Sequence, residues 1–328
     1  MLSSDTICRM IRRGAALLLA GLAGCSAGPQ LHDYADSKQA MELKDVPFYA
    51  QEGYQGGPAA LAMMLGASGV QATPSDLVKL VYDAQTNDSA RGAMIGAASQ
   101  YGRVGYQLRS KQLDLDVVHQ VQAGHPVLVL LHTGLLGKQW QYVVVMGVDP
   151  AANTFTLRSG SEQRQVMSYG DFVAAWHDGG YWAEMIARPG DIPPTATARD
   201  WLNAARLIEQ AGKTEAATQA YTAITQHWPG VPEDAEAWGG LGRNYYALHN
   251  PRGAITAFNN AATLEPNNPD YHNGLALALL DRQCADQAES EIDLALDLVH
   301  DPNQRGPYLK TQKEVEKHSG PSVVCPLE

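Results

Sequence analysis

The residues of this 328-residue chain that could carry covalent chemistry are unevenly placed. The cysteines are Cys8, Cys25, Cys284 and Cys325, so no thiol lies between Ser26 and Gln283. Thiolates are strong nucleophiles near neutral pH, and the middle of the chain is without one. His119, His125 and His132 fall in that stretch. His119 sits on an expected surface helix and His125 directly before a strand, which are positions for solvated or packing side chains. His132, at a strand end, stands out most. Ser89, Ser99, Ser110 and Ser161 lack the strand-to-helix turn that exposes a serine nucleophile. No cysteine spacing suits a metal or a haem, so neither a metal nor another cofactor is expected.

At the N-terminus, Arg9, Arg12 and Arg13 precede an apolar run from Gly14 to Ala23 that is too short to span a bilayer. Residues 1–24 therefore read as a signal peptide. Leu22-Ala23-Gly24-Cys25 resembles the bacterial lipobox, which implies a diacylglyceryl group on Cys25 and cleavage before it. Two ester-linked chains, joined by an amide-linked third, anchor far more firmly than one chain. Ser26 at the next position resembles the sorting signal for the outer membrane, with the protein facing the periplasm. Residues 25–44 are polar and read as a lipidated tether. Loss of residues 1–24 removes three Arg and Asp5 and moves the formal charge from −11 to −13. Such a balance repels phosphate backbones, so nucleic acid is excluded as a partner. Cys284 and Cys325 remain as an even pair in an oxidising compartment. A disulfide closing a loop of about 41 residues would contribute roughly 4 kcal/mol; two unrelated buried thiols are the other reading.

The segment from Val46 to Leu61 contains Gln51-Glu52-Gly53-Tyr54-Gln55-Gly56-Gly57-Pro58. It resembles the start of the bacteriocin-processing cysteine peptidases, which cut double-glycine leaders and read Gln, four residues, Cys-Gly-Pro. Gly56 stands in the place of the cysteine. The resemblance implies that Gln51 holds the place of the oxyanion-binding glutamine, and that Gly57-Pro58-Ala59 keep the helix start that stabilises a thiolate. Gln139-Trp140-Gln141-Tyr142 falls where the family reads Trp-His-Tyr, so Gln141 occupies the histidine position. Ser159 falls near the position of the orienting carboxylate. A glutamine amide has no titratable nitrogen near neutral pH and is no general base. A papain-like cleft without its nucleophile and base is the expectation, rimmed by Gln51, Tyr54, Gln55, Trp140 and Gln141. Aromatic and amide groups there suit an extended peptide; for Trp140 a plain core role is equally open.

Positioning these groups requires an α+β domain over 45–190. Helices are expected at Pro58–Gly66, from Pro74 through Val81, at Ala93–Gln100, Leu115–Gln122 and Tyr169–Trp176. Strands are expected at Pro126–Leu131, Tyr142–Val148, Thr154–Arg158 and Tyr181–Ile186. That order agrees with the papain-like layout. Pro189-Gly190-Asp191-Ile192-Pro193-Pro194-Thr195 reads as a break between domains, each with its own core.

Beyond it the composition turns Ala-rich with a period of 34. Trp238, Leu241, Gly242, Tyr245, Ala254, Phe258, Ala261 and Pro266 reproduce the tetratricopeptide signature. The register gives three repeats over 197–302 in an all-α solenoid, with a capping helix and tail at 303–328. In that family partners bind the concave face of the first helices. The corresponding positions here are Arg206, Arg243, Tyr246 and Asn273, and the two arginines would suit a carboxylate or an acidic peptide; an ordinary solvated face is the competing reading.

The expected function is a lipid-anchored periplasmic scaffold that binds protein or peptide partners, with membrane contact through the Cys25 lipid. The alternative is an active peptidase with an unrecognised nucleophile. A third reading places all recognition in the repeats.

Overall fold

The structure is a computed structural model that describes residues 30–33, 35, 38–51, 56–83, 88–89, 91–109, 113–133, 139–318 and 323–327. The expected signal segment 1–24, Cys25, Tyr54, Gln55 and Ser110 lie outside the described residues.

The chain enters the fold early. After a 3-10 turn at Leu31–Asp33 come β1 (Met41–Glu42) and α1 (Gly56–Ala67). Residues 57–65 of α1 are all buried, as a helix that is apolar all round must be. Next is α2 (Pro74–Val81), where Thr73 and Asp76 form a capping box and Pro74 supplies the first turn. A small hairpin, β2 (Tyr82–Asp83) and β3 (Asp88–Ser89), leads to α3 (Arg91–Gln100), β4 (Val104–Gln107) and α4 (Leu113–Gln122). The antiparallel run β5 (Val127–Thr133), β6 (Gln139–Asp149), β7 (Thr154–Ser159) and β8 (Glu162–Ser168) follows. α5 (Tyr169–Asp178) and β9 (Ala183–Ala187) complete the unit.

One sheet has the order β4-β9-β5-β6-β7-β8, with β1 added to β6 beyond the end of β5. Its two faces alternate residue by residue along β6. Tyr142, Val144 and Met146 pack with Leu61, Met64, Leu77 and Met94 of the first three helices. Val143, Val145 and Val148 pack on the other face with Val117, Phe172 and Trp176. A strand covered on both faces reads as a continuous apolar run. At the bulge between Val145 and Gly147, a Cβ on Gly147 would meet Thr156 at 2.9 Å and the Met41 carbonyl at 3.1 Å. Only glycine lets β1 approach there.

The repeats are helix pairs: α6 (Ala198–Gln210) with α7 (Thr214–His227), α8 (Pro232–Ala247) with α9 (Pro251–Leu264), and α10 (Pro269–Asp281) with α11 (Ala285–Leu298). Gly242 and Gly274 both lie directly against the Phe258 ring, where a Cβ would come within 2.6 and 2.4 Å of ring atoms, so the helices approach closely around it. α12 (Gly306–Lys317) caps the array. Cys284 and Cys325 are bonded, with Cα atoms 5.9 Å apart. The tail lies across the second helices, where Gln287 bonds the backbone of Cys325 in both directions and Asn259 donates to the Leu327 carbonyl.

Two expectations need correction. Residues 25–44 are not a tether throughout, because Leu31 is fully buried and its N–H donates to Asn153 Oδ1 at 2.8 Å. The Pro189–Thr195 stretch is also no gap in the core. Trp201 Nε1 donates to the Pro189 carbonyl at 3.2 Å, Gln120 donates to Thr195, and the Trp201 and Tyr106 rings pack 6.3 Å apart. The apolar cluster runs unbroken from Val145 through Trp201 to Leu241. Strands β4 and β8 were not expected. β8 is an edge strand with a largely exposed face, and its polar sequence hides the period-2 signal.

Glu184, on the sheet's β9, is buried with Oε2 lacking a partner, and burial raises its pKa from 4.5 to about 8. The folded state thus holds its proton more tightly than the unfolded chain. Its contribution is fully present below about pH 4.5 and is lost as pH rises toward 8, at up to about 1.4 kcal/mol per pH unit. Urea denaturation between pH 5 and 8 will show this loss in the native chain and a flatter profile in Glu184→Gln.

Candidate functional site

The first candidate site is built where segment 46–51 crosses the start of β6. Arg158, buried on β7, donates through Nη2 to the Val46 carbonyl at 2.8 Å and through Nη1 to the Gln163 carbonyl. Its guanidinium lies 6.0 Å from the Phe48 ring centre. The segment so held ends at Gln51, whose N–H donates to the Gly160 carbonyl at 2.9 Å. The Gln51 side chain donates from Nε2 to the Tyr142 carbonyl at 2.7 Å. A carbonyl partner demands a donor, which fixes the amide orientation.

Gly56 opens α1 beside this amide. A Cβ built there would meet Gln51 Oε1 at 3.7 Å and Tyr142 Cδ2 at 4.0 Å, both ordinary contacts. Packing does not demand glycine at this position. Gln141 lies against the turn that follows β7, its Nε2 2.7 Å from where a Gly160 Cβ would sit. Ser159, buried at the end of β7, pairs with Val143. The structure therefore sets Gln51 and Gly56 together against Tyr142, and Gln141 and Ser159 on the other face of the strand by the Gly160 turn, all toward one end of β6. Trp140 projects from the opposite face to Gln141, as successive strand residues do. It is 53% exposed and stacks on His132 with ring centres 4.4 Å apart. His132 is thus a platform partner for an exposed indole, and Trp140 is no core residue.

Chemically, the place offers hydrogen bonds and a flat aromatic surface. Gln51 Oε1 faces Gly56 as an acceptor, while one hydrogen of Nε2 is already engaged by Tyr142. Arg158 was missed at sequence level; its signal was a lone guanidinium ending the apolar strand Thr154–Arg158.

The second candidate site lies on the repeats. Arg243, Tyr246 and Asn273 line a cavity of about 320 Å³ together with Phe258, Asp270 and Tyr271. Asn273 Oδ1 is buried there without a hydrogen-bond partner. Arg206 is not among the lining residues. It bonds Glu236 through two nitrogens and Asn203 through a third. Arg243 forms a fork on Glu209, Nε to Oε1 at 3.0 Å and Nη2 to Oε2 at 3.1 Å, and Tyr221 also donates to Glu209. The Glu236 bonds raise the Arg206 pKa. For Arg243 burial pulls downward, the Glu209 bonds pull upward, and the net direction is up. Both expected carboxylate clamps are therefore already closed on carboxylates of neighbouring repeats. The signal for Glu209 was present, since it occupies the position of Arg243 one 34-residue period earlier.

Residues 43–184 match the Peptidase_C39 like family, and residues 209–276 match the tetratricopeptide repeat. The chain carries an α+β C39-like domain, an antiparallel sheet with helices, followed by an all-helical tetratricopeptide region. Among solved structures, one described as a C39-like peptidase from Bacillus anthracis has 17% identity and a TM-score of 0.37, covering 45% of this chain and 98% of that one. The first tetratricopeptide unit of Spaghetti (RPAP3), bound to the HSP90 peptide SRMEEVD, has 15% identity and a TM-score of 0.34, covering 37% of this chain and 90% of that one. No curated protein matches the chain.

The Arg243–Glu209 pair is partly exposed, so its coupling should stay below about 1 kcal/mol. A double-mutant cycle with Arg243→Ala and Glu209→Ala, followed by urea denaturation, measures it. A value in that range leaves the guanidinium free to exchange its partner for a ligand carboxylate.

Proposed function

We propose that this protein is a lipid-anchored scaffold of the outer membrane, facing the periplasm, that holds peptide segments in its C39-like cleft and repeat groove without cutting them. The observation that carries the reading is Gly56, which leaves a side-chain-sized space beside Gln51 where the resembling peptidases place their thiol. Gln141 at the histidine position removes the proton acceptor, and Ser159 supplies no carboxylate. Among the described residues here, an amide bond would meet the hydrogen-bonding amides of Gln51 and Gln141 and the Trp140–His132 stack, with no thiol beside Gly56 and no imidazole at position 141. Binding has separate support in the exposed Trp140–His132 stack and in the unpartnered Asn273 carbonyl oxygen of the groove. Such surfaces suit an extended chain that offers backbone N–H groups and flat side chains.

The native protein is expected to show no turnover of double-glycine peptides, measured by mass spectrometry. Photocrosslinkers placed at Trp140 and at Leu277 should capture peptides in intact cells. Gly56→Cys combined with Gln141→His and Ser159→Asp should gain thiol reactivity near neutral pH and measurable cleavage, because the space at Gly56 accepts the new side chain without backbone movement. Turnover by the native chain that drops at least tenfold in Gln51→Ala would overturn the scaffold reading in favour of a peptidase.

A further inference from the structure

The described chain is attached to the fold within five residues of Cys25. Gln30 N–H donates to Asp33 Oδ2 at 3.0 Å, and Asp33 N–H returns to the Gln30 carbonyl at 2.9 Å. Leu31 is fully buried, and its N–H is held by Asn153 at 2.8 Å. Five residues reach at most about 17 Å when fully extended. Asn153 lies in the turn that joins β6 to β7, a turn in which Asp149 Oδ1 accepts N–H bonds from Ala151 and Ala152 at 3.0 and 2.9 Å. A second attachment follows at the same end, where Met41 pairs with Val148. From there the chain runs back along β6 until Gln51 meets Tyr142 and Gly160. Six strand residues separate the levels of Val148 and Tyr142, a rise of about 20 Å.

We propose that in the anchored protein the β6–β7 turn lies against the headgroup surface and the Gly56 cleft opens at the membrane-distal end of the domain. The inference rests on the lipidation of Cys25 in the proposed function. The occupant of this face is a lipid surface, set by the short length of chain outside the described fold and by where that chain enters it. The tip has no lipid affinity of its own. Its exposed residues Ala151 and Ala152 are small, and Asp33, Asp149 and Asp171 around it repel anionic headgroups. The lipid holds the domain, and the short spacer orients it.

The test uses the full chain purified in its membrane-anchored form and reconstituted in phosphatidylcholine–phosphatidylglycerol vesicles containing nitroxide-headgroup lipid. Single dyes are attached at Ala152→Cys and, at the cleft end, at Gln139→Cys. Alkyne-palmitate incorporation reports lipidation, with Cys25→Ser as the control. The Ala152 dye should be quenched at least threefold more strongly than the Gln139 dye. The difference should vanish when about twenty Gly/Ser residues are inserted after Ala27. A chain that takes up no palmitate would remove the anchor itself and the orientation with it. A lipidated chain with equal quenching, or stronger quenching at Gln139, would overturn the orientation while leaving the anchor standing. Vesicle binding by the Cys25→Ser chain would refute the passive role of the tip.

Discussion

The double pairing of β6 is the constraint on which the rest of the protein depends. Its one edge is hydrogen-bonded to β5 over Gln139–Val145 and to β1 at Gly147–Val148, and its other edge to β7 from Val143 to Asp149. From Val143 to Val148 the strand has both edges paired and both faces covered, so its backbone groups are satisfied largely inside the protein. That demand calls for α1 to α3 on one side and α4, α5 and α6 on the other. It also fixes the level at which segment 46–51 must lie, because Gln51 reads the strand through the Tyr142 carbonyl. Arg158 completes the arrangement by holding Val46 from the next strand.

Much of this was legible in the residues themselves. The buried strands announced themselves as apolar runs, the helix at Pro74 by its cap, and the repeats by small and aromatic residues recurring at a fixed period. The pairing of Gln51 with Gly56 was also readable, since both occupy places in one spaced pattern; that Gln141 lies by the Gly160 turn was not. Other features depended on three-dimensional neighbours that no local pattern encodes. β8 is polar because it is an edge. Leu31 lies in a polar stretch, and nothing nearby in sequence shows that Asn153 receives it. The arginines of the groove looked free because their carboxylate partners lie thirty or more residues away.

The two candidate sites share a chemical character. At each, a polar group that could serve a ligand is already engaged inside the protein: the Gln51 amide on Tyr142, and the Arg243 fork on Glu209. Such engagement keeps the side chains ordered in the empty state, which lowers the ordering cost of any later contact. It also sets a threshold, because a ligand must match the bond it displaces. Asn273 differs, with its side-chain oxygen buried and unanswered, and within the groove it marks the point where a donor would gain most.

The continuous apolar cluster from the sheet into the first repeat has a further consequence. Trp201 and Tyr106 join the two regions as one packed body, so the Gly56 site and the groove at Arg243 keep a set separation. A flexible connection would let one ligand reach both places over many lengths. Under the proposed scaffold function this makes a caliper: a peptide that touched both surfaces would be selected by the length between its two contact points as well as by their chemistry.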